Sequence, residues 1–198
     1  MKLSSDHVAR NRERVLDAAL TLFRRRGFNQ VSVTDLMREA GLTHGGFYNH
    51  FESKSDLAGQ ACVKAFTLAV GHLGTEHTTP GRLAGLKGYV ARYLSRSWRD
   101  ADAAHCPMVA FAADAARNPQ AVGRPFAEGV RDYVDGLARR IDGDEEHKRR
   151  EAMLVASALI GALTLARAVR EGDRALSDAI LEAARAELLA RLPDEPDV

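Results

Sequence analysis

Apolar residues recur at intervals of three and four almost from end to end of the chain. Stretches that alternate apolar with polar residues are nearly absent. This periodicity predicts an all-α protein. The first helix is expected over residues 6–26. Val15, Ala19, Leu22 and Phe23 share one face, Leu16 and Leu20 widen it, and Arg10, Arg12, Glu13 and Asp17 lie elsewhere. Gly27 is placed to end it. The second helix starts at Ser32, an N-cap whose partner Asp35 completes a capping box, with Val31 and Leu36 spaced as a hydrophobic staple. Val33, Leu36, Met37 and Ala40 form its buried face and Gly41 stops it. A third helix follows at once, with Thr43 as N-cap and Leu42 and Phe47 repeating the staple. Phe47 and Phe51 face inward, which leaves His44, Gly45, Tyr48 and Asn49 outside. The fourth opens on Ser53 and Asp56 and runs through Leu57, Val63 and Phe66 toward Val70.

Five further helices are expected over 81–100, 107–117, 120–141, 144–171 and 175–192. With the fourth they form an antiparallel bundle that can enclose a central cavity. Pro125 is the one proline inside a predicted helix, so it belongs in the first turn or two or leaves a kink. The acidic tail 193–198 is expected to fray.

Only Gly41, Leu42 and the cap separate the second and third helices. Two short helices joined by a turn of this length make a helix-turn-helix, which holds one helix steeply enough to enter a groove about 12 Å wide. An ordinary αα-corner has the same spacing, so charge matters here. Residues 1–54 carry 9 Lys+Arg against 6 Asp+Glu, and the remainder 19 against 21, in a chain whose net charge is only +1. A basic N-terminal third on a faintly acidic body points to separate jobs, the first on DNA. Among 198 residues, 45% are apolar and 28% charged, which excludes collagen-like, low-complexity and disordered classes. Two cysteines make no disulfide framework, and Cys62 and Cys106 read as reduced thiols. The N-terminus lacks an apolar signal core. The longest uncharged apolar run, 152–166, falls short of the roughly 20 residues that cross a bilayer. The expectation is a soluble cytoplasmic protein with no membrane partner.

The stretch VSVTDLMREAGLTHGGFYNHFESKSDL, from Val31 to Leu57, resembles the DNA-binding signature of the TetR family of bacterial transcriptional regulators. The shared features are the capped second helix, the Gly-Leu-Thr turn, the Phe-Tyr-x-x-Phe of the third helix and the Ser-Lys-x-x-Leu opening of the fourth. The preceding RERVLDAALTLFRRRGF is similar to that family's first helix. The resemblance is close over residues 10–60 and architectural beyond. It implies a helix-turn-helix DNA-binding domain over 1–54 and a helical ligand-binding and dimerisation domain over 55–198. It further implies a homodimer that binds a palindromic operator in double-stranded DNA and, as a repressor, leaves it when a small-molecule effector binds.

On that resemblance the third helix lies in the major groove and its N-terminal residues read base edges. By position these are His44, Gly45, Gly46 and Asn49, joined by Thr34 of the second helix. Asn pairs with adenine through two hydrogen bonds, and His offers a donor or an acceptor. Two helical glycines cost ~1 kcal/mol each against alanine. The return is either close approach of backbone to DNA, with readout shifted toward DNA shape, or nothing beyond a frayed first turn. Phosphate contacts fall to Tyr48, His50, Lys54 and the hydroxyls of Ser32 and Thr43, with the N-terminus of the fourth helix beside Lys54. His50 also fits a structural place under the turn.

Phe66, Tyr89, Tyr93, Trp98, Met108, Phe111, Phe126 and Tyr133 are candidates for an effector pocket, and equally for plain core. In the eighth helix Ala158, Gly161, Ala162 and Leu165 allow close approach of a partner helix. Ile180, Leu181, Ala184 and Leu188 of the ninth add an apolar face, so the two helices and their copies predict a four-helix dimer interface.

His105-Cys106-Pro107 opens the sixth helix. A helix N-terminus and a nearby imidazolium favour a thiolate. Cys106 is therefore a candidate redox or electrophile sensor, against the alternative of a small buried residue. An all-helical enzyme using Cys106 and His105 is the rival class. Adjacency does not define a catalytic pair, and no Ser/His/Asp set or phosphate-binding glycine loop is present. His72, Glu76 and His77 read as solvated rather than as a metal site, and neither metal nor cofactor is implied.

Overall fold

A computed structural model describes residues 5–73, 85–101 and 106–192. The side chain of His72, the residues Glu76, His77 and His105, and the tail 193–198 lie outside the described residues. Among the described residues the chain is all helical and has no strand. Its helices are α1 (Ser5–Arg26), α2 (Val33–Glu39), α3 (Lys54–Leu73), α4 (Gly85–Tyr93), α5 (Arg96–Asp100), α6 (Pro107–Arg117), α7 (Arg124–Ala138), α8 (Glu145–Val169) and α9 (Arg174–Arg191). A 3-10 helix, His44–Asn49, follows α2, and a π-type turn, Pro119–Gly123, precedes α7.

Three elements differ from the periodicity. The expected helix over 81–100 is broken in its described part between α4 and α5, where Ser95 turns extended and its Oγ accepts the Trp98 N–H at 3.1 Å. Serine competes for backbone donors in this way at a cap, and the apolar spacing hides it. The helix expected over 120–141 starts with the π-type turn, because Pro125 has no N–H to give to the preceding turn. The third helix is 3-10 rather than α, as two consecutive glycines weaken α-helix formation.

The chain divides into two compact units, one of Met1–Leu68 with Ala103–Val130 and the other of Ala69–Asp102 with Arg131–Val198. The expected division after residue 54 falls at the start of α3. In the first unit, Val15, Ala19 and Phe23 of α1 are buried, as are Leu36, Met37, Phe47, Phe51 and Leu57. α6 is tied to the end of α1 by Asp114, whose Oδ2 accepts the Phe28 N–H at 2.9 Å. Gly27 makes that corner possible, with φ +76 and the Asp114 carboxylate against it. α3 meets α7 where Phe66 lies against Gly129, since a Cβ there would stand 2.2 Å from the Phe66 ring.

In the second unit, α8 packs on α9, and its Ala152, Val155, Ala156, Leu159, Ala162, Leu163 and Ala166 form a buried stripe of helical period. α8 has the length and apolar content to cross a bilayer. Its charged start, Glu145 to Glu151, and this buried stripe are those of a core helix. The five-residue α5 is held by Arg99, whose side chain is fully buried. Arg99 donates to Ser177 Oγ at 2.8 Å and Asp178 Oδ1 at 2.6 Å, and pairs with Asp100. Arg167 donates to the carbonyl oxygens of Trp98 and Arg99 at 3.0 and 3.1 Å.

Candidate nucleic-acid interface

The platform is α2. Ser32 Oγ accepts the Asp35 N–H at 3.1 Å, and Asp35 Oδ2 takes the Ser32 N–H at 3.1 Å and its hydroxyl at 2.6 Å. These bonds, with Arg38 and Arg26 adding to them, hold the Asp35 carboxyl below the usual carboxylate range. Both Ser32 donors are thereby used in the capping box. Thr34 is exposed on the same helix. Gly41, at φ +65, makes the turn, and the Arg14 guanidinium lies against it.

The 3-10 helix rests on Phe47 and Phe51, buried with ring centroids 5.8 Å apart. Thr43 takes the N-cap position with no side-chain cap bond, so its hydroxyl stays at the surface. His44, Gly45 and Asn49 are exposed and Gly46 is half-buried. Tyr48 stands 68% exposed, edge-on to Phe47. His50 is half-buried, and its Nδ1 has no hydrogen-bond partner among the described residues.

α3 begins with Ser53 Oγ accepting the Asp56 N–H at 3.0 Å, while Asp56 accepts the Glu52 N–H at 3.1 Å. The Lys54 Nζ lies 4.2 Å from the Phe28 ring centroid. Burial pulls its pKa down and the Asp114 carboxylate opposes this. Arg12 packs over Phe51 and bonds Gln60 of α3. The arrangement presents a short helix on an apolar base, with hydroxyls, an amide and an imidazole outward and a lysine at the flank.

Cys106 is buried at the N-cap of α6, with Pro107 in the first helical position. Burial pulls the pKa of Arg24, from α1, down, and Cys106 opposes this, so a cation from α1 lies within electrostatic reach of the sulfur. Sequence reasoning looked to the adjacent His105 for that charge and missed Arg24, 82 positions away. Cys62 differs, since burial pushes its thiol up to about 12.

The aromatic candidates fall in both units. In the first, Phe66 and Phe126 stack edge to face at 5.6 Å, and Met108 and Phe111 are buried. In the second, the Tyr89 and Tyr133 hydroxyls meet at 2.7 Å, Tyr93 stacks on Trp98 at 5.8 Å, and the Arg92 guanidinium lies over Tyr89 and Trp98. Of the interface candidates, Leu165 is 57% exposed, while Ala158, Gly161, Ile180 and Ala184 are half-buried. Ala162, Leu181 and Leu188 belong to the subunit's own core. Met153, Leu154 and Leu176 are exposed apolar residues that the periodicity did not single out.

The sequence pattern described as "Bacterial regulatory proteins, tetR family" matches residues 15–61, the span from α1 into α3. The transcriptional regulator AcrR of Shigella flexneri is 44% identical over 46 residues, 23% of this chain and 21% of AcrR. The transcriptional repressor BepR of Brucella suis is 40% identical over 57 residues, 29% of this chain and 27% of BepR. The chain thus matches about a quarter of the length of these curated relatives. The crystal structure of Escherichia coli NemR in its reduced form shares the fold, with TM-score 0.76 and 19% identity over 94% of this chain and 100% of that one. The matched pattern lies on the α1–α3 platform, so residues 15–61 are similar to the bacterial regulatory proteins of the tetR family, and the chain shares the fold of NemR over nearly its whole length.

Proposed function

We propose that the chain is a homodimeric, cytoplasmic repressor that reads a palindromic operator with its 3-10 helix and is released when Cys106 is modified. Thr34, Thr43, His44 and Asn49 read or flank base edges, and Tyr48 and Lys54 bind phosphates. Ser32 and His50 support the helix. The exposed apolar residues Leu165, Met153, Leu154 and Leu176 supply the dimer face, and a two-fold dimer matches a palindrome.

The observation that carries the trigger is the contrast between the two thiols. Both thiols are buried, and burial alone pushes the Cys62 pKa up. Cys106 sits at a helix N-terminus within reach of the Arg24 charge, two features that favour a reactive thiolate. The likeness to a regulator crystallised in a reduced form supports the same reading. The reactant is a hydroperoxide. The Cys106 thiolate attacks its outer oxygen, an S–O bond forms as the O–O bond breaks, and sulfur loses two electrons to become the sulfenic acid. The departing alkoxide takes a proton from water. Arg24 joins this event to α1, and Asp114 holds the same α6 to Phe28.

The test is a gel shift on the DNA upstream of the coding sequence, with and without cumene hydroperoxide. Wild type and Cys62→Ser are expected to release DNA on oxidation and Cys106→Ser to stay bound. Release of Cys106→Ser at the wild-type dose overturns the thiol trigger. In that case the Tyr89, Tyr93, Trp98 and Tyr133 group, with its buried hydroxyl pair, is the place to seek a non-covalent effector.

A further inference from the structure

Gly45 and Gly46 carry a cost that the subunit itself does not explain. Among the described residues the glycines that need a left-handed backbone are Gly27, Gly41, Gly85 and Gly143. Neither Gly45 nor Gly46 is among them, so an L-residue fits both backbones. Nor does packing demand a bare Cα at Gly45. A Cβ at Gly45 would have no atom within 4 Å, and one at Gly46 would meet Met37 Cε at an ordinary 3.6 Å. Both positions nevertheless give up helix propensity, and the element they sit in is 3-10. The two differ in direction. Gly46 faces the supporting α2, whereas Gly45 is exposed between His44 and the Phe47–Phe51 base.

We infer that Gly45 is a specificity-determining position whose missing side chain leaves room for a thymine C5-methyl group on the major-groove edge of the operator. That methyl is the apolar projection on this edge, and a bare Cα is the smallest apolar surface a protein can set against it. Gly45 therefore selects sequence by the space it leaves, and an alanine there collides with the methyl. The inference rests on the 3-10 helix entering the major groove.

The experiment selects duplexes from a random pool with the full-length wild-type protein. The selected duplex is then titrated with wild type, Gly45→Ala, Gly45→Ser and Gly46→Ala, each first checked for an undiminished melting temperature. Gly45→Ala and Gly45→Ser are expected to bind about tenfold more weakly. Gly46→Ala gains similar helix propensity without entering the groove and is expected to stay within about twofold of wild type. Replacing thymines one at a time by deoxyuridine, which lacks the methyl, is expected to restore most of the Gly45→Ala loss at one position in each half-site. Wild-type affinity for Gly45→Ala overturns the inference. So does an equal loss for Gly46→Ala, which would make backbone conformation the cause, or a loss that no deoxyuridine relieves. A pool that wild type fails to enrich overturns instead the placement of this helix in DNA.

Discussion

Two pieces of this molecule are too short to be stable helices alone, and they are held in opposite ways. The six-residue 3-10 helix His44–Asn49 is fastened from beneath by two buried phenylalanines, and its polar groups point outward. The five-residue α5 is fastened by a buried cation, and much of its polar surface is consumed within the subunit. Isolated helices below about 12 residues are marginal in water, so each depends on its fastening. The difference follows from what each must leave free. An apolar anchor holds a helix without using a hydrogen-bonding group, so on the proposed function the 3-10 helix keeps its donors and acceptors for DNA. The α5 helix instead spends its buried guanidinium on Ser177, Asp178 and Asp100.

The contrast is broken most severely at its apolar end. Phe47→Ala removes a side chain that is 0% exposed and is expected to cost ~3–5 kcal/mol, seen as a lower denaturation midpoint in urea. Arg99→Ala removes the guanidinium that bonds Ser177 Oγ and Asp178 Oδ1, while Arg96 still pairs with Asp178. It is expected to cost less, ~2–4 kcal/mol, because Asp100 and Asp178 retain some solvent. An Arg99→Ala loss below ~1 kcal/mol would mean that α5 is held by packing, and the distinction would fail.

Acid separates the two fastenings further. Arg99, through its hydrogen bonds, holds the Asp100 carboxyl down at about 2, with Arg170 adding to it. Asp178 is lowered by the same guanidinium. An unfolded aspartate titrates near ~3.9. A group depressed on folding contributes its stability above the unfolded value and loses it as pH falls toward the folded one. The stability gap between wild type and Arg99→Ala is therefore expected to be constant at neutral pH and to shrink between ~4 and about 2. The gap for Phe47→Ala is expected to show no such step. Urea melts at stepped pH read both, and a flat Arg99→Ala gap would remove the electrostatic account.

How readable these regions were follows from the reach of the interactions. The α2 capping box, the Gly41 turn and the inward pair Phe47–Phe51 depend on residues two to four apart, and each stands where the spacing puts it. The glycines' effect on helix type was also local, but periodicity does not distinguish 3-10 from α over six residues. Arg99 with Asp178 joins positions 79 apart, Phe28 with Asp114 joins positions 86 apart, and Arg24 reaches Cys106 from another helix. Nothing in local pattern encodes such partners. A single acidic residue in the apolar stretch Met108 to Arg117 was the only hint of Asp114. Phe66 is instructive in the same way. A large aromatic on a bundle helix fits a pocket or a core, and only the bare Gly129 opposite shows that its ring is seated in the core.

The smallest effect gives the finest test, because it compares two caps that the sequence presents alike. Ser32 and Thr43 each precede a short helix and each follows an apolar residue, Val31 or Leu42. Ser32 bonds the Asp35 N–H and gives its own donors to Asp35, whereas Thr43 makes no side-chain cap bond. Ser32→Ala is therefore expected to cost ~1 kcal/mol of stability, the usual value of a lost cap, and to weaken DNA binding only as far as α2 frays. Thr43→Ala is expected to change stability by less than ~0.5 kcal/mol, as for a surface site, yet to weaken DNA binding by removing a free hydroxyl at the groove. The reverse order would place the real cap at Thr43. It would also mean that the reading helix is held from its start as well as from beneath, so that its outward groups are less free than its apolar anchoring implies.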